Sequence, residues 1–114
     1  MDKAAALTVF ESLSSGVRLD VFRLLVRAGP AGRVAGEIAS ALDIPPTNLS
    51  FHLKALTHAG LVSVEQEGRY QRYRANLALM RGLIDFLAAE CCDGVPEQCA
   101  ELDGVVDCGP GASC

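Results

Sequence analysis

Apolar residues recur every three or four positions through the first half of the chain, and short turns interrupt the pattern. This spacing is typical of amphipathic helices, because positions three and four apart lie on one helical face. Ser15 has the chemistry of a helix cap, and Gly29 that of a helix breaker. We therefore predict four helices: residues 4–13, the segment from Ser15 to Gly29, residues 34–42 and residues 47–59.

The fourth predicted helix has one apolar face. Pro46 suits the first position of this helix, and Gly60 ends it. Leu49, Leu53 and Leu56 repeat at spacings of four and three, so they form a stripe that can dock on a core. The other positions then stay exposed on the docked helix, and they include Thr47, Asn48, Ser50, Phe51 and Lys54.

Alternation of apolar and polar residues replaces the helical spacing after the fourth helix. Residues 62–65 alternate valine with serine and glutamate, which predicts a strand. A turn at residues 67–68 and a return strand over residues 69–74 complete a β-hairpin. Tyr70 and Tyr73 do not alternate strictly, so we expect a twist or a bulge in the return strand.

A last helix is predicted after the hairpin, with Asn76 as its cap. Its apolar stripe is wider than a chain of 114 residues readily buries alone. We therefore predict that the first and last helices pair across a twofold axis. The predicted dimer-interface residues are Leu7, Phe10, Leu77, Met80, Leu83, Ile84 and Leu87.

The order of elements is thus four helices, a hairpin and a final helix. A short helix, a tight turn, a second helix with a polar outer face and a basic hairpin form the winged helix-turn-helix layout. The predicted fold class is mainly α with a small β-hairpin (α+β), a winged helix-turn-helix whose helices form a homodimer.

An ordered set of motifs over residues 7–90 resembles the ArsR/SmtB family of bacterial metal-responsive repressors. The motifs are residues 14–19, 48–56, 58–62 and 67–69, with Tyr73. The resemblance implies a transcriptional repressor, and not an enzyme, that binds double-stranded operator DNA as a homodimer.

The predicted DNA contacts follow from placing the fourth helix in the major groove. Polar residues near its N-terminus then meet base edges, and Phe51 can contact a thymine methyl. Lysine and arginine are predicted as phosphate ligands that fix the register. His52 stays open between packing at the helix–wing junction and donating to a phosphate. The predicted DNA-binding residues are Thr47, Asn48, Ser50, Phe51, His52, Lys54, Arg69, Gln71, Arg72 and Arg74.

Charge and cysteine content divide the chain near residue 90. Residues 1–90 carry a net charge of +1 and no cysteine, whereas residues 91–114 contain five acidic residues, no basic ones and all five cysteines. We predict a DNA-binding and dimerisation domain over residues 1–90 and a flexible sensor tail over residues 91–114. The chain shows neither a secretory signal nor an apolar run that could span a bilayer, so we expect a cytoplasmic protein without a membrane partner.

Two ligand sites of the family that the chain resembles lack their residues here. The familiar arsenic site needs a Cys-x-Cys pair on the third helix, and that helix has no thiol. The zinc-type site needs histidine on the last helix, which offers only Asp85 and Glu90 as ligands. The cysteines of the tail remain as the candidate sensor.

Cys91 and Cys92 are adjacent, which disfavours a disulfide between them. Consecutive Cα atoms lie about 3.8 Å apart, below the roughly 4.4–6.8 Å of ordinary disulfides. Two neighbouring thiolates can instead share one soft ion, and Cys99 supplies a third within nine residues. As(III) takes three sulfur ligands, and the tail resembles that of arsenic repressors with C-terminal sites. The expected inducer is As(III), as arsenite or an organoarsenical, with no catalytic cofactor.

Other uses of these cysteines stay open. Cys108 or Cys114 can replace Cys99 or add a fourth sulfur, and four thiolates favour Zn(II) or Cd(II). Cys92 or Cys99 can pair with Cys108 in a redox-sensing repressor, and a zinc-bound tail can serve a structural interaction module. The tail lacks the Cys-x-x-Cys of a thiol oxidoreductase.

Overall fold

The computed structural model describes residues 1–89, which form five α-helices, a 3₁₀ turn and three β-strands. In chain order these are α1 (Lys3–Leu13), α2 (Gly16–Ala28), the 3₁₀ turn (Gly29–Ala31), β1 (Arg33–Val34), α3 (Ala35–Leu42), α4 (Pro46–His58), β2 (Val62–Glu67), β3 (Tyr70–Ala75) and α5 (Leu77–Ala88).

Local side-chain chemistry sets where the helices begin. The Ser15 hydroxyl accepts the backbone N–H of Arg18 at 3.4 Å, and the Asn76 carboxamide oxygen accepts that of Leu79 at 3.1 Å. Pro46 occupies the first turn of α4, where its missing N–H costs nothing. The three predicted helix starts are confirmed. The first turn of a helix leaves backbone N–H groups without partners. Ser15 and Asn76 each accept one of these groups, and Pro46 has no N–H that needs a partner.

The core lies between α2, α3, α4 and the inner face of the sheet. The predicted stripe of Leu49, Leu53 and Leu56 is confirmed, because all three side chains are buried. Leu61 and Val62 continue this core into β2. The remaining buried apolar residues of the cluster are Val9, Val21, Phe22, Leu25, Ile38, Ala39 and Tyr73.

The sheet has three strands in the order β1-β3-β2, so the prediction of a hairpin alone was incomplete. The added strand pairs Arg33 with Tyr73 and Val34 with Arg72, antiparallel to β3. A strand of two residues is too short to show alternation, which is why the sequence pattern did not reveal it. The third helix accordingly begins at Ala35, one residue later than predicted.

The hairpin between β2 and β3 is regular. Its register runs without interruption from Val62 opposite Ala75 to Glu67 opposite Tyr70, so of the two alternatives, a twist or a bulge, these described strands do not contain the bulge. The turn lies at Gly68 and Arg69, one residue later than predicted, and Gly68 has a φ of +62°.

Side chains alternate between the two faces of this hairpin. Tyr73 is buried and faces α3 and α4, with Gln71 on the same side. Arg72 and Arg74 therefore point to the opposite, outer face. The two faces thus carry different groups of predicted DNA-binding residues.

Gly32 lets the chain pass closely over β3. Its φ of 61° and ψ of −164° lie in a region that is essentially restricted to glycine. A Cβ atom at this position would overlap the carbonyl oxygen of Tyr73 and lie 2.7 Å from Cγ of Arg74. Both the backbone conformation and the close approach therefore require glycine.

Gly32→Ala is expected to lower the free energy of unfolding by at least about 2 kcal/mol. Gly36 is the matched control, because it lies within α3 and a Cβ there meets no atom within 4 Å. Gly36→Ala should raise the free energy of unfolding by about 0.5–1 kcal/mol. Urea unfolding followed by circular dichroism measures both. Equal stability of the Gly32 variant and the wild type would contradict the close approach.

Candidate nucleic-acid interface

The outer face of α4 carries a stripe of exposed side chains. Thr47, Ser50, Phe51 and Lys54 follow the spacing i, i+3, i+4, i+7, so they share the face opposite the buried leucines. Phe51 is the most exposed large apolar residue of the described chain, at 69%. Such a ring, unsupported by the core, is suited to contact with a partner.

Two further residues border this stripe. Asn48 is exposed, one turn before His52, at the edge of the stripe. His58 is also exposed and lies four residues after Lys54, so it extends the same face. Sequence reasoning did not include His58 among the DNA-binding candidates, although its spacing from Lys54 could have identified it.

His52 lies partly within the fold. Its side chain is half-buried, and its Nδ1 atom is buried without a hydrogen-bond partner among residues 1–89. The ring meets that of Phe51 edge-on, with centroids 5.8 Å apart and planes at 78°. The burial of Nδ1 supports a packing role for His52.

A crevice of about 110 Å³ separates α4 from the inner face of β3. It brings two predicted DNA-binding residues together, Ser50 from α4 and Gln71 from β3. The Tyr73 hydroxyl donates to Oε1 of Gln71 at 3.1 Å. A tyrosine hydroxyl is protonated and able to donate at neutral pH, and burial raises its pKa further. The Gln71 amide is thereby held beside the helix, with its NH₂ group available to donate.

The predicted phosphate ligands fall into two groups. Lys54 on α4 and Arg69 at the hairpin tip are exposed and form no ion pair within the described part of the chain. Arg72 and Arg74 instead have carboxylate and carbonyl partners on the outer face of the hairpin. Their assignment as phosphate ligands stays a prediction, and these partners favour a different role for both arginines.

Several of the predicted dimer-interface residues leave much of their apolar surface exposed. On α1, Leu7 is 57% exposed, and on α5 Leu87 is 61% exposed. Phe10 and Leu77 are likewise exposed, and Ile84 is half-buried. Met80 and Leu83 pack partly against the core. No residue of α5 is fully buried, so the helix keeps exposed apolar surface at Leu77 and Leu87 in the described monomer.

The predicted sensor residues Cys91, Cys92, Cys99, Cys108 and Cys114 lie outside the described residues, as does the predicted tail domain. Within residues 1–89, no three side chains of His, Cys, Asp or Glu lie close enough together to hold a metal ion. No helix of this described part is long and apolar enough to cross a membrane.

Known proteins share the helix-turn-helix part of this chain. A family described as a helix-turn-helix domain matches residues 13–65, which include α3 and α4. The uncharacterized HTH-type transcriptional regulator YdfF of Bacillus subtilis (strain 168) is 49% identical over 45 residues. That match covers 38% of this chain and only 20% of YdfF, so the chain spans a small part of this relative.

Solved structures match over nearly the whole described domain. An ArsR-like transcriptional regulator from Rhodococcus sp. RHA1 is 26% identical with a TM-score of 0.69, over 93% of this chain and 96% of that one. The homodimeric winged helix-turn-helix domain of Mb0332 from Mycobacterium bovis, a possible ArsR-family regulator, is 30% identical with a TM-score of 0.61, over 81% and 85%. This chain belongs to the ArsR family. A third solved structure, of a possible transcriptional regulator for arsenical resistance, is 28% identical with a TM-score of 0.57, over 80% of this chain and 92% of that one.

The chain thus contains the DNA-binding helix-turn-helix of an ArsR-type transcriptional regulator. By their order in the winged helix-turn-helix layout, α3 and α4 correspond to the motif, α4 to its recognition helix and the β2–β3 hairpin to the wing. The exposed stripe of α4 and the wing tip therefore belong to one candidate interface.

Ser50→Ala is expected to cost about 1–3 kcal/mol on the cognate operator and little on random DNA, because we predict that its exposed hydroxyl reads a base edge. Arg69→Ala should instead weaken both complexes. It should also lower the salt slope, the steepness with which the logarithm of the binding constant falls with the logarithm of the salt concentration, by about 1. Fluorescence anisotropy against a duplex selected from a random pool measures both effects. Ser14→Ala, in the exposed turn after α1, is the control. Equal losses on both duplexes from Ser50→Ala would contradict base reading by this residue.

Proposed function

We propose that the protein is a homodimeric operator-binding repressor that trivalent arsenic releases by binding Cys91, Cys92 and Cys99. The observation that carries the proposal is the position of the cysteines. Residues 1–89 contain none, and α5 ends at Ala88, three residues before the adjacent pair Cys91 and Cys92. A thiol-seeking ligand therefore binds directly after the helix with the exposed apolar face.

The exposed apolar residues of α1 and α5 support assembly as a homodimer. Leu7 and Leu87 expose more than half of their surfaces, and burying one such side chain contributes about 1.5–3 kcal/mol. The related domain of Mb0332 is a homodimer. In a homodimer, two copies of α4 enter successive major grooves about 34 Å apart on one face of the duplex.

The ligand chemistry favours arsenic over zinc. As(III) takes three sulfurs, which Cys91, Cys92 and Cys99 supply within nine residues, whereas structural zinc takes four ligands in a tetrahedron. The similarity to a possible regulator for arsenical resistance agrees with this choice. A methylated arsenical needs only two sulfurs, so Cys91 and Cys92 alone suffice for it.

Release follows from coupling between the thiolate site and the dimer interface. A ligand that ties Cys99 back to the end of α5 changes how two copies of α5 pack, and hence the spacing of the recognition helices. Allosteric couplings are typically about 1–3 kcal/mol, or roughly 5–150-fold in affinity. A loss of this size is sufficient for derepression.

The test is anisotropy of the protein–operator complex titrated with arsenite, methylarsenite, antimonite, cadmium and zinc. We expect arsenite to release the operator, and X-ray absorption to show three sulfur neighbours per arsenic. Release by cadmium or zinc with four sulfur neighbours would favour the metal-sensing alternative. Release by an oxidant, with a disulfide and no bound ion, would favour the redox alternative.

A further inference from the structure

Four charged residues form a network on the outer face of the wing. Nε of Arg72 lies 3.0 Å from both carboxylate oxygens of Glu67. Nη1 of Arg74 lies 2.9 Å from Oε1 of Glu65, and its Nη2 lies 4.0 Å from Oε2 of Glu67. Each arginine thus pairs with an acid on the neighbouring strand. We call Glu65, Glu67, Arg72 and Arg74 the wing network.

Both arginines of the wing network also reach the 3₁₀ turn. Nη1 of Arg72 donates to the carbonyl oxygen of Ala31 at 3.0 Å, and Nε of Arg74 donates to that of Pro30 at 2.8 Å. These bonds join residues 41 and 44 positions apart in the chain. The two hydrogen bonds connect the wing to the 3₁₀ turn between α2 and β1.

The acids of the wing network are unexpected on a DNA-binding hairpin. A carboxylate close to the phosphate backbone is repelled by it, so a hairpin that served only to attract DNA would omit Glu65 and Glu67. Their carboxylates instead hold the two guanidinium groups in the orientation that the carbonyl bonds require. Arginine suits this task because its planar group offers several donors in a fixed geometry.

We propose that Arg72 and Arg74 are positioning residues, which hold the wing in its DNA-binding orientation through Glu67, Glu65 and the 3₁₀ turn. The phosphate contact of the wing then falls to Arg69, which lies at the tip without an ion pair among residues 1–89. The proposal rests on DNA binding by α4 and the wing.

The sign of a single substitution separates this role from direct phosphate binding. Glu67→Gln removes a negative charge from the interface, so electrostatics alone would strengthen DNA binding. If Glu67 holds Arg72, the same change weakens operator binding, by about 3- to 10-fold. Arg72→Gln should weaken binding to a similar extent. The double variant should lie close to Arg72→Gln alone, because Glu67 pairs with Arg72 at 3.0 Å and with Arg74 only at 4.0 Å. Independent charge effects would instead partly cancel in the double variant.

Two further variants test the same point. Arg72→Lys keeps the charge but carries its donors on a single atom, so it does not reproduce the separate bonds from Nε to Glu67 and from Nη1 to Ala31, and we expect it not to restore affinity. A phosphate ligand would tolerate lysine. Glu65→Gln repeats the test on the Arg74 pair and should also weaken binding. Arg69→Gln is the control, since it should lower the salt slope by about 0.9. Its effect on the free energy of operator binding should add to that of Glu67→Gln.

Anisotropy with the selected operator and with a random duplex measures affinity, and amide hydrogen exchange without DNA follows the wing and the 3₁₀ turn. We expect faster exchange at both places in Glu67→Gln. Stronger operator binding by Glu67→Gln, or full affinity of Arg72→Lys, would overturn the proposal. Failure of the wild-type protein to select any duplex would instead count against the proposed function. Circular dichroism confirms that each variant is folded.

Discussion

Replacing Cys91 or Cys92 with serine is expected to abolish release by arsenite and to leave operator binding unchanged. The DNA-binding candidates lie within residues 47–74, which contain no cysteine, so loss of a tail thiol does not alter the recognition surface. A remnant of two sulfurs holds As(III) much more weakly than three. The response should therefore fall below detection at arsenite concentrations that fully release the wild-type protein.

The third sulfur is tested by the same measurement. Cys99→Ser should lose the response to arsenite, whereas Cys108→Ser and Cys114→Ser are the controls and should respond almost normally. A normal response of Cys99→Ser, together with loss in Cys108→Ser or Cys114→Ser, would reassign the third ligand. Unchanged release after truncation at Glu90 would contradict sensing by the tail.

Much of the fold could be predicted because its signals are local. A cap such as Ser15 or Asn76 acts on an N–H three residues later, so the sequence alone contains both partners. The stripe of Leu49, Leu53 and Leu56 repeats within one helix and needs no knowledge of what it packs against. The helix positions follow from such caps, and the core-facing side of α4 follows from the leucine stripe.

The features that escaped prediction depend on distant parts of the chain. Strand β1 exists because Arg33 and Val34 lie beside β3, about forty residues away, and two residues carry no pattern of their own. The same distance hides the bonds from Arg72 and Arg74 to the 3₁₀ turn. In the sequence these arginines look like free cations on a basic hairpin. Only the folded chain shows that Nε and Nη1 of each arginine have protein partners.

The candidate site divides in the same way. Exposure of Thr47, Ser50 and Lys54 followed from helical periodicity, and the structure confirms it. The closeness of Ser50 and Gln71 needed the tertiary fold, because α4 and β3 meet only across the crevice.

Leu87→Glu is expected to give a folded monomer without measurable operator affinity. Leu87 is 61% exposed in the monomer, so the substitution does not disturb the core, in contrast to a change at the partly packed Leu83. In the proposed dimer each copy would lose the burial of a leucine and bring a carboxylate into the apolar contact. Two copies are affected, so dimer affinity should fall by more than about 100-fold.

Sedimentation at micromolar concentration, together with operator anisotropy, measures this outcome for Leu87→Glu. The matched control is Leu19→Glu, since Leu19 is an exposed leucine of α2 outside the predicted interface. This control should remain dimeric and bind the operator.

A wild-type protein that sediments as a monomer would contradict the dimer. A dimeric Leu87→Glu variant with normal affinity would show that the exposed face of α5 is not the interface. Because one α4 contacts only one half-site, loss of the dimer removes the second set of contacts, and with it most of the affinity for the operator.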